Sequence, residues 1–238
     1  MIAIRGIEKI YGKGDTSVHA LKGIDLEITE SEFVAIMGRS GSGKSTLLHI
    51  LGLLDRPTAG SLSLDGVEVL KISEAARTGF RLERLGYVFQ EYSLLGELTC
   101  LDNVLLPARV MPGSNRISRQ RARELLEIVG LGERLTHYPN QMSGGEQQRV
   151  AIARALINQP RIVFADEPTA SLDAASAEAV LELFQRLNRE TGQTIVMVTH
   201  EKEDSQYVDR VIWLKDGLVV PNDETHAASD SELALARG

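Results

Sequence analysis

The chain has 238 residues, with 26 Lys and Arg against 33 Asp and Glu, for a formal net charge of −7. Hydrophobic residues make up 43% and charged residues 25%, an ordinary globular composition that excludes disordered, collagen-like and coiled-coil chains. At about 150 residues per domain the length suits one large domain, or one with a small lobe, and the acidic balance argues against a dedicated nucleic-acid binder.

The first 65 residues read as β-rich. Short strands are expected over 2–10, 23–28 and 61–64, bounded by Gly, Asp and Ser, and Asp65-Gly66 is a turn signal between Leu64 and Val67. Residues 33–37 form a compact apolar run. A glycine-rich turn follows at once, and then a helix-compatible stretch after Lys44. The segment 91–140 reads as mostly helical: Ala122, Leu125, Leu126 and Val129 fall on one helix face, with Gly130 and Gly132 as stops. From Arg161 the pattern alternates. Residues 162–165, 194–198 and 211–214 read as buried strands, and Ala177, Val180, Leu181, Phe184 and Leu187 mark an amphipathic helix between the first two. Such alternation predicts an α/β fold with a parallel sheet covered by helices. From 221 the chain turns polar and reads as a mobile tail, with a short terminal helix as the alternative. Apolar runs have strand length, too short for a membrane span, and the start does not resemble a signal peptide. Cys100, the sole cysteine, allows no disulfide within the chain and has no activating base in a motif beside it.

Three motifs carry chemistry. Gly38-Arg39-Ser40-Gly41-Ser42-Gly43-Lys44-Ser45 matches G-x-x-x-x-G-K-[ST] between a strand and a helix. Its glycines let the backbone curl so that N–H groups cradle phosphate oxygens. Lys44 reaches the β and γ phosphates, and the Ser45 hydroxyl is a hard oxygen suited to Mg²⁺. The apolar run 162–165 delivers Asp166 and Glu167 to the carboxyl edge of the sheet, Asp166 to hold Mg²⁺ and Glu167 to polarise an attacking water. Ser143-Gly144-Gly145-Glu146 opens a helix with an N-cap residue and bare backbone donors, a second anion-binding end; alone it would read as a capped helix start.

In this order, with Gln90 after the phosphate loop and His200 after the Asp-Glu strand, these motifs resemble the ATP-binding subunits of ABC transporters over about residues 2–219. The resemblance implies a phosphate-loop α/β core with an N-terminal antiparallel β lobe. A helical lobe at about 91–158 is inserted in it, making a single domain over 1–220 with a polar tail at 221–238. It also implies roles. Tyr11 stacks on adenine; residues 38–46, Thr46 included, bind the phosphates; Ser45, Gln90 and Asp166 hold Mg²⁺. Glu167, His200 and Gln90 serve hydrolysis. Ser143, Gly144, Gly145 and Glu146 meet the ATP held by a second copy, and Asp173 lies in the loop that crosses to it. The implied partners are a head-to-tail homodimer closed by ATP and an integral membrane permease, with no nucleic acid. The location is then the cytoplasmic face of the plasma (inner) membrane. The stretches 53–60 and 90–107 are most similar to the ATPases of lipoprotein-releasing and macrolide-export systems, although Ser31, Ser93, Gly96 and Glu146 depart from common choices. Alternatives within the family are an importer ATPase, for amino acids for example, and a regulatory cell-division ATPase.

Overall fold

A computed structural model describes residues 1–111 and 117–221, apart from the side chains of Asp15, Ile117 and Ser118. β1 (Ile2–Tyr11) and β2 (Val18–Ile28) pair antiparallel. Their buried residues include Ile2, Ile4 and Ile7, a spacing that breaks strict alternation. Glycine bulges make the correction: Gly6 and Gly23 both take positive φ where the register shifts, which returns Ile7 and Ile24 to the inner face. Gly23, expected to begin a strand, is therefore a bulge inside a longer one. β3 (Phe33–Met37) runs through a glycine-rich loop into α1 (Lys44–Leu51). β4 (Ala59–Leu64) and β5 (Val67–Glu68) close the first sheet in the order β2-β1-β4-β5. Asp65 and Gly66 join them with φ of 51° and 77°, the tight hairpin turn that the sequence signals.

α2 (Glu74–Arg84) and β6 (Leu85–Val88) follow, neither of them expected. α2 escapes hydrophobic patterning because an arginine, Arg77, occupies its buried side. α3 (Cys100–Arg109), α4 (Ile117–Ile128) and α5 (Gly144–Leu156) pack against one another. The predicted face of α4 is buried at Ala122, Leu125 and Leu126, with Val129 just beyond its end, and Gly130 at φ 74° turns the chain out. Residues 91–99, expected within the helical stretch, hold no helix; α3 starts only after Thr99, whose hydroxyl accepts from Asp102 N. β7 (Ile162–Asp166), α6 (Ala174–Thr191), β8 (Thr194–Val198), β9 (Arg210–Lys215) and β10 (Leu218–Val220) complete the fold. The second sheet runs β10-β9-β3-β8-β7-β6, parallel from β9 to β6 and antiparallel at β10.

Both faces of that sheet are covered. Phe33, Ala35, Met37, Val163, Ala165, Ile195 and Met197 face α3 to α6; Val34, Ile36, Phe164, Val196 and Val198 face α1 and the first sheet. Burial on both sides is why these strands read as unbroken apolar runs. Residues 222–238, the expected tail, lie outside the described residues. Among the described residues no helix is long and apolar enough to cross a membrane.

Phe184 on α6 is fully buried, its ring 6.2 Å from that of Phe33. Phe184→Ala removes this contact from a close-packed core and should lower the unfolding free energy by about 3–5 kcal/mol, read from urea denaturation.

Candidate nucleotide-binding site

The loop after β3 is shaped by sterics. At Gly38, φ 154°, a Cβ would lie 2.1 Å from the Leu214 carbonyl oxygen and 2.8 Å from Ser42 Oγ. At Gly43, φ 103°, it would lie 2.7 Å from the Ala20 carbonyl oxygen. No side chain fits at either position, and Gly43 requires the left-handed region as well. α1 starts at Lys44 with Gly43 as its N-cap, and among the described residues no side chain caps its first N–H groups, so the positive end of the helix faces the loop. Lys44 is buried, and its Nζ donates to the carbonyls of Gly38 at 2.9 Å and Arg39 at 3.1 Å. The ammonium is thus held over the curl of the loop, on the side to which Arg39, Ser40, Gly41 and Ser42 belong.

β7 ends beside α1. Ser45 Oγ donates to Asp166 Oδ1 at 3.2 Å, and His49 Nε2 lies 3.4 Å from Asp166 Oδ2. Asp166 holds the His49 imidazolium above the usual histidine range, against the opposing effect of burial. His49 had no functional context in the sequence. Its spacing of four from Ser45 on one helix was the available signal, but only the neighbouring strand gives that spacing meaning. Glu167 follows at φ 43°, its N–H bonded to the Val198 carbonyl at 2.9 Å. His200, just past β8, brings Nδ1 to 3.4 Å from Glu167 Oε2, while its Nε2 is 3.1 Å from Glu201 Oε1. Gln90 lies two residues beyond Val88, which pairs with Ala165, so it leaves the sheet level with Glu167. Tyr11 reaches the same region: its hydroxyl donates to Asp55 Oδ2 at 2.8 Å and interacts with Thr46 on α1, while Lys9 Nζ stands 4.7 Å over its ring.

The turn Ser143–Glu146 belongs to another assembly, at the head of α5. Ser143 Oγ accepts from Glu146 N at 3.2 Å and Glu146 Oε2 accepts from Ser143 N at 2.9 Å, a reciprocal capping box. That backbone bond, with Arg134 at 3.3 Å, holds the Glu146 carboxyl below its ordinary range. A Cβ on Gly144 would meet Tyr92 Oη at 2.7 Å, and one on Gly145 would meet Ser176 Oγ at 2.8 Å. Ser176 is in turn bonded through N and Oγ to Asp173, the N-cap of α6. The structure therefore gathers Gly38–Ser45, Tyr11, Thr46, Asp166, Glu167, Gln90 and His200 in one region, and joins Ser143–Glu146 to Asp173 in a second.

One buried acid was not anticipated. Thr199 Oγ1 donates to Asp204 Oδ2 at 2.6 Å and accepts from Glu201 N at 3.1 Å, and both Thr199 and Asp204 are buried directly behind His200. Asp204 sits in the charged run Glu201-Lys202-Glu203-Asp204, which reads as a solvated turn, so composition hides it.

A phosphate-binding loop at the carboxyl edge of a parallel sheet, with paired carboxylates on the next strand but one, defines a phosphate-loop nucleotide-binding protein. The chain belongs to the ABC transporter family, whose profile matches residues 21–170. It is 49% identical to the lipoprotein-releasing system ATP-binding protein LolD 2 of Caulobacter vibrioides, over 91% of this chain and 95% of that one. It is 51% identical to the macrolide export ATP-binding/permease protein MacB of Chlorobaculum tepidum over 92% of this chain, but spans only 34% of that longer protein. The dimeric, post-hydrolysis structure of the ATP-binding cassette MJ0796 bound to ADP and Pi is similar at a TM-score of 0.84. It is 43% identical, with 93% of this chain and 97% of that one covered.

Burial raises the Asp204 carboxyl above the usual range; Thr199 and Thr169 partly oppose this, and Glu201 and Glu203 add to it. An acid with a raised native pKa takes up a proton on folding, so its charged form weakens the fold at neutral pH and the penalty vanishes on acidification. Asp204→Asn should therefore melt at a higher temperature than the parent at pH 7. The advantage should fade as pH falls through the raised native pKa and be gone once pH is below the ordinary carboxylate range, in thermal melts of both proteins across pH.

Proposed function

We propose that this chain is the ATP-hydrolysing subunit of an ABC transporter of the lipoprotein-release or macrolide-export type. In this reading it drives a membrane partner through ATP-dependent closure of a head-to-tail dimer. The convergence of the buried Lys44 with Asp166, Glu167 and His200 at one sheet edge carries the reading. The Lys44 ammonium, held on two carbonyls, exchanges them for the more strongly charged oxygens of the β and γ phosphates. The uncapped head of α1 adds its backbone donors. Glu167 accepts a proton from the attacking water, and His200, 3.4 Å away, positions the Glu167 carboxylate and lies where the γ-phosphate would end.

The Ser45 hydroxyl and the Asp166 carboxylate, 3.2 Å apart, are a hard-oxygen pair that fits magnesium, with Gln90 leaving the sheet nearby. Bound there, Mg²⁺ would neutralise phosphate charge. Among the described residues no cluster of three or more His, Cys, Asp or Glu side chains competes for a metal.

The head of α5, with its cap complete and two glycines against Tyr92 and Ser176, presents backbone donors to the ATP of a second copy. Asp173 accompanies it across the interface. Two such half-sites close by two-fold symmetry. In this reading the stretch 90–107, irregular up to Thr99 and then helical, docks the permease, and the chain works at the cytoplasmic face of the plasma (inner) membrane.

Lys44→Ala should reduce ATP turnover by about a hundredfold or more and weaken nucleotide binding, measured on the purified chain. Wild-type values would remove the phosphate-loop assignment. Glu167→Gln keeps the side chain's shape but removes the base and the negative charge facing the γ-phosphate. It should form a stable dimer with ATP and not with ADP in light scattering. A monomer under both conditions, or equal dimerisation in both, would refute the ATP sandwich.

A further inference from the structure

Away from the nucleotide site, a cavity of about 490 Å³ opens between the loop after α1 and the head of α2, with Leu53, Leu54, Arg56, Arg77 and Arg81 on its walls. Glu74, in the first turn of α2, is the carboxylate that meets all three arginines. Its Oε2 lies 2.5 Å from Arg56 Nη2 and 3.3 Å from Arg77 Nη1, and its Oε1 lies 3.6 Å from Arg81 Nη1. Asp55, also in the lining, is committed to Lys9 and Tyr11. Three guanidinium groups thus share one carboxylate, in a chain whose net charge is −7.

Arg77 makes the arrangement more than a surface ion cluster. Its side chain is 2% exposed, yet its Nε meets no acceptor among the described residues. A buried guanidinium donor without an acceptor is costly, and a second cation beside it adds to the cost. Burial first, and then the neighbouring Arg56, push the Arg77 guanidinium below the ordinary arginine range. Arg81 is already engaged with the Leu53 carbonyl at 3.1 Å and Thr78 Oγ1 at 2.8 Å, which ties α2 to the loop after α1. Arg56 and Arg77 are left as the open pair. Glu74 is 60% exposed and can turn aside without opening the core.

We propose that this pocket binds an oxyanion, a carboxylate or a phosphate, delivered from outside the chain, and that Glu74 is its resident stand-in. Paired guanidinium forks match both groups in bidentate geometry. The half-exposed Leu54 beside them adds an apolar ledge, which suits an acidic side chain next to an apolar one on a protein segment. Free phosphate offers the same oxygens without the apolar partner. None of these residues takes part in the nucleotide site, so this inference stands or falls separately from the proposed function.

The test follows the Nε–Hε resonances of Arg56 and Arg77 by ¹⁵N NMR in the full chain, saturated with ADP so that the phosphate loop is filled. The probes are inorganic phosphate and the acetylated, amidated tripeptide Leu-Glu-Leu. Both arginine signals should shift and saturate. Glu74→Gln removes the competing carboxylate and should lower the midpoint by about tenfold. Arg77→Leu should abolish the Arg56 shift while leaving basal ATP hydrolysis unchanged; if that variant fails to fold, Arg56→Gln, followed at Arg77, takes its place. The probe with the lower midpoint names the source of the oxyanion. Signals that do not move with either probe, or a midpoint that Glu74→Gln leaves where it was, would overturn the proposal.

Discussion

Parallel pairing of β6, β7, β8 and β3 is the constraint from which the site follows. Val88 lies opposite Ala165, Asp166 opposite Val198, and Ile36 opposite Val198 on the other side, so four chain ends reach one edge at one level. Helices α3 to α6 cover one face of this sheet and α1 with the first sheet covers the other, so the central strands are mostly apolar between their ends. The residues at or just past the strand ends therefore emerge at the edge, where backbone and side chains regain access to water and ligand. Gly38, Gln90, Asp166 with Glu167, and Thr199 with His200 are those residues. They come from separate parts of the chain and need no contacts of their own to meet.

A second constraint is charge. The chain is acidic overall, and it concentrates cations in two places where burial makes them potent. Lys44 is desolvated and held on carbonyl oxygens, a weak substitute for phosphate. Arg56, Arg77 and Arg81 share the one carboxylate of Glu74 at the head of α2. Both depend on a helix head for their setting, α1 in one case and α2 in the other.

Much of this was legible in the sequence, for specific reasons. The phosphate loop, the Asp166–Glu167 strand end and the capped turn at Ser143 are local patterns, each with its chemistry within a few residues. The central strands were readable because full burial makes them continuous apolar runs. What escaped depends on tertiary neighbours. α2 and β6 were missed because an arginine fills a buried helix position and because β6 is only four residues long. His49 gains its role only from the strand that lies beside α1. Asp204 was hidden in a run of charges, although Thr199 and the surrounding turn bury it. Gly23 reads as a boundary by composition, but in the sheet it is the extra residue that keeps Ile24 facing inward.

Glu167 carries a side chain at φ 43°, a region that costs about 1 kcal/mol or more for any residue but glycine and, to a lesser degree, asparagine. The bond from its N–H to Val198 keeps the backbone there. At this position conformational preference and hydrolytic chemistry select for different amino acids. Laboratory evolution guided by heat resistance alone would favour Gly or Asn in its place, relaxing the turn and discarding the carboxylate. A thermally hardened version of this protein obtained by such a route should have residue 167 sequenced before its turnover is compared with that of the parent.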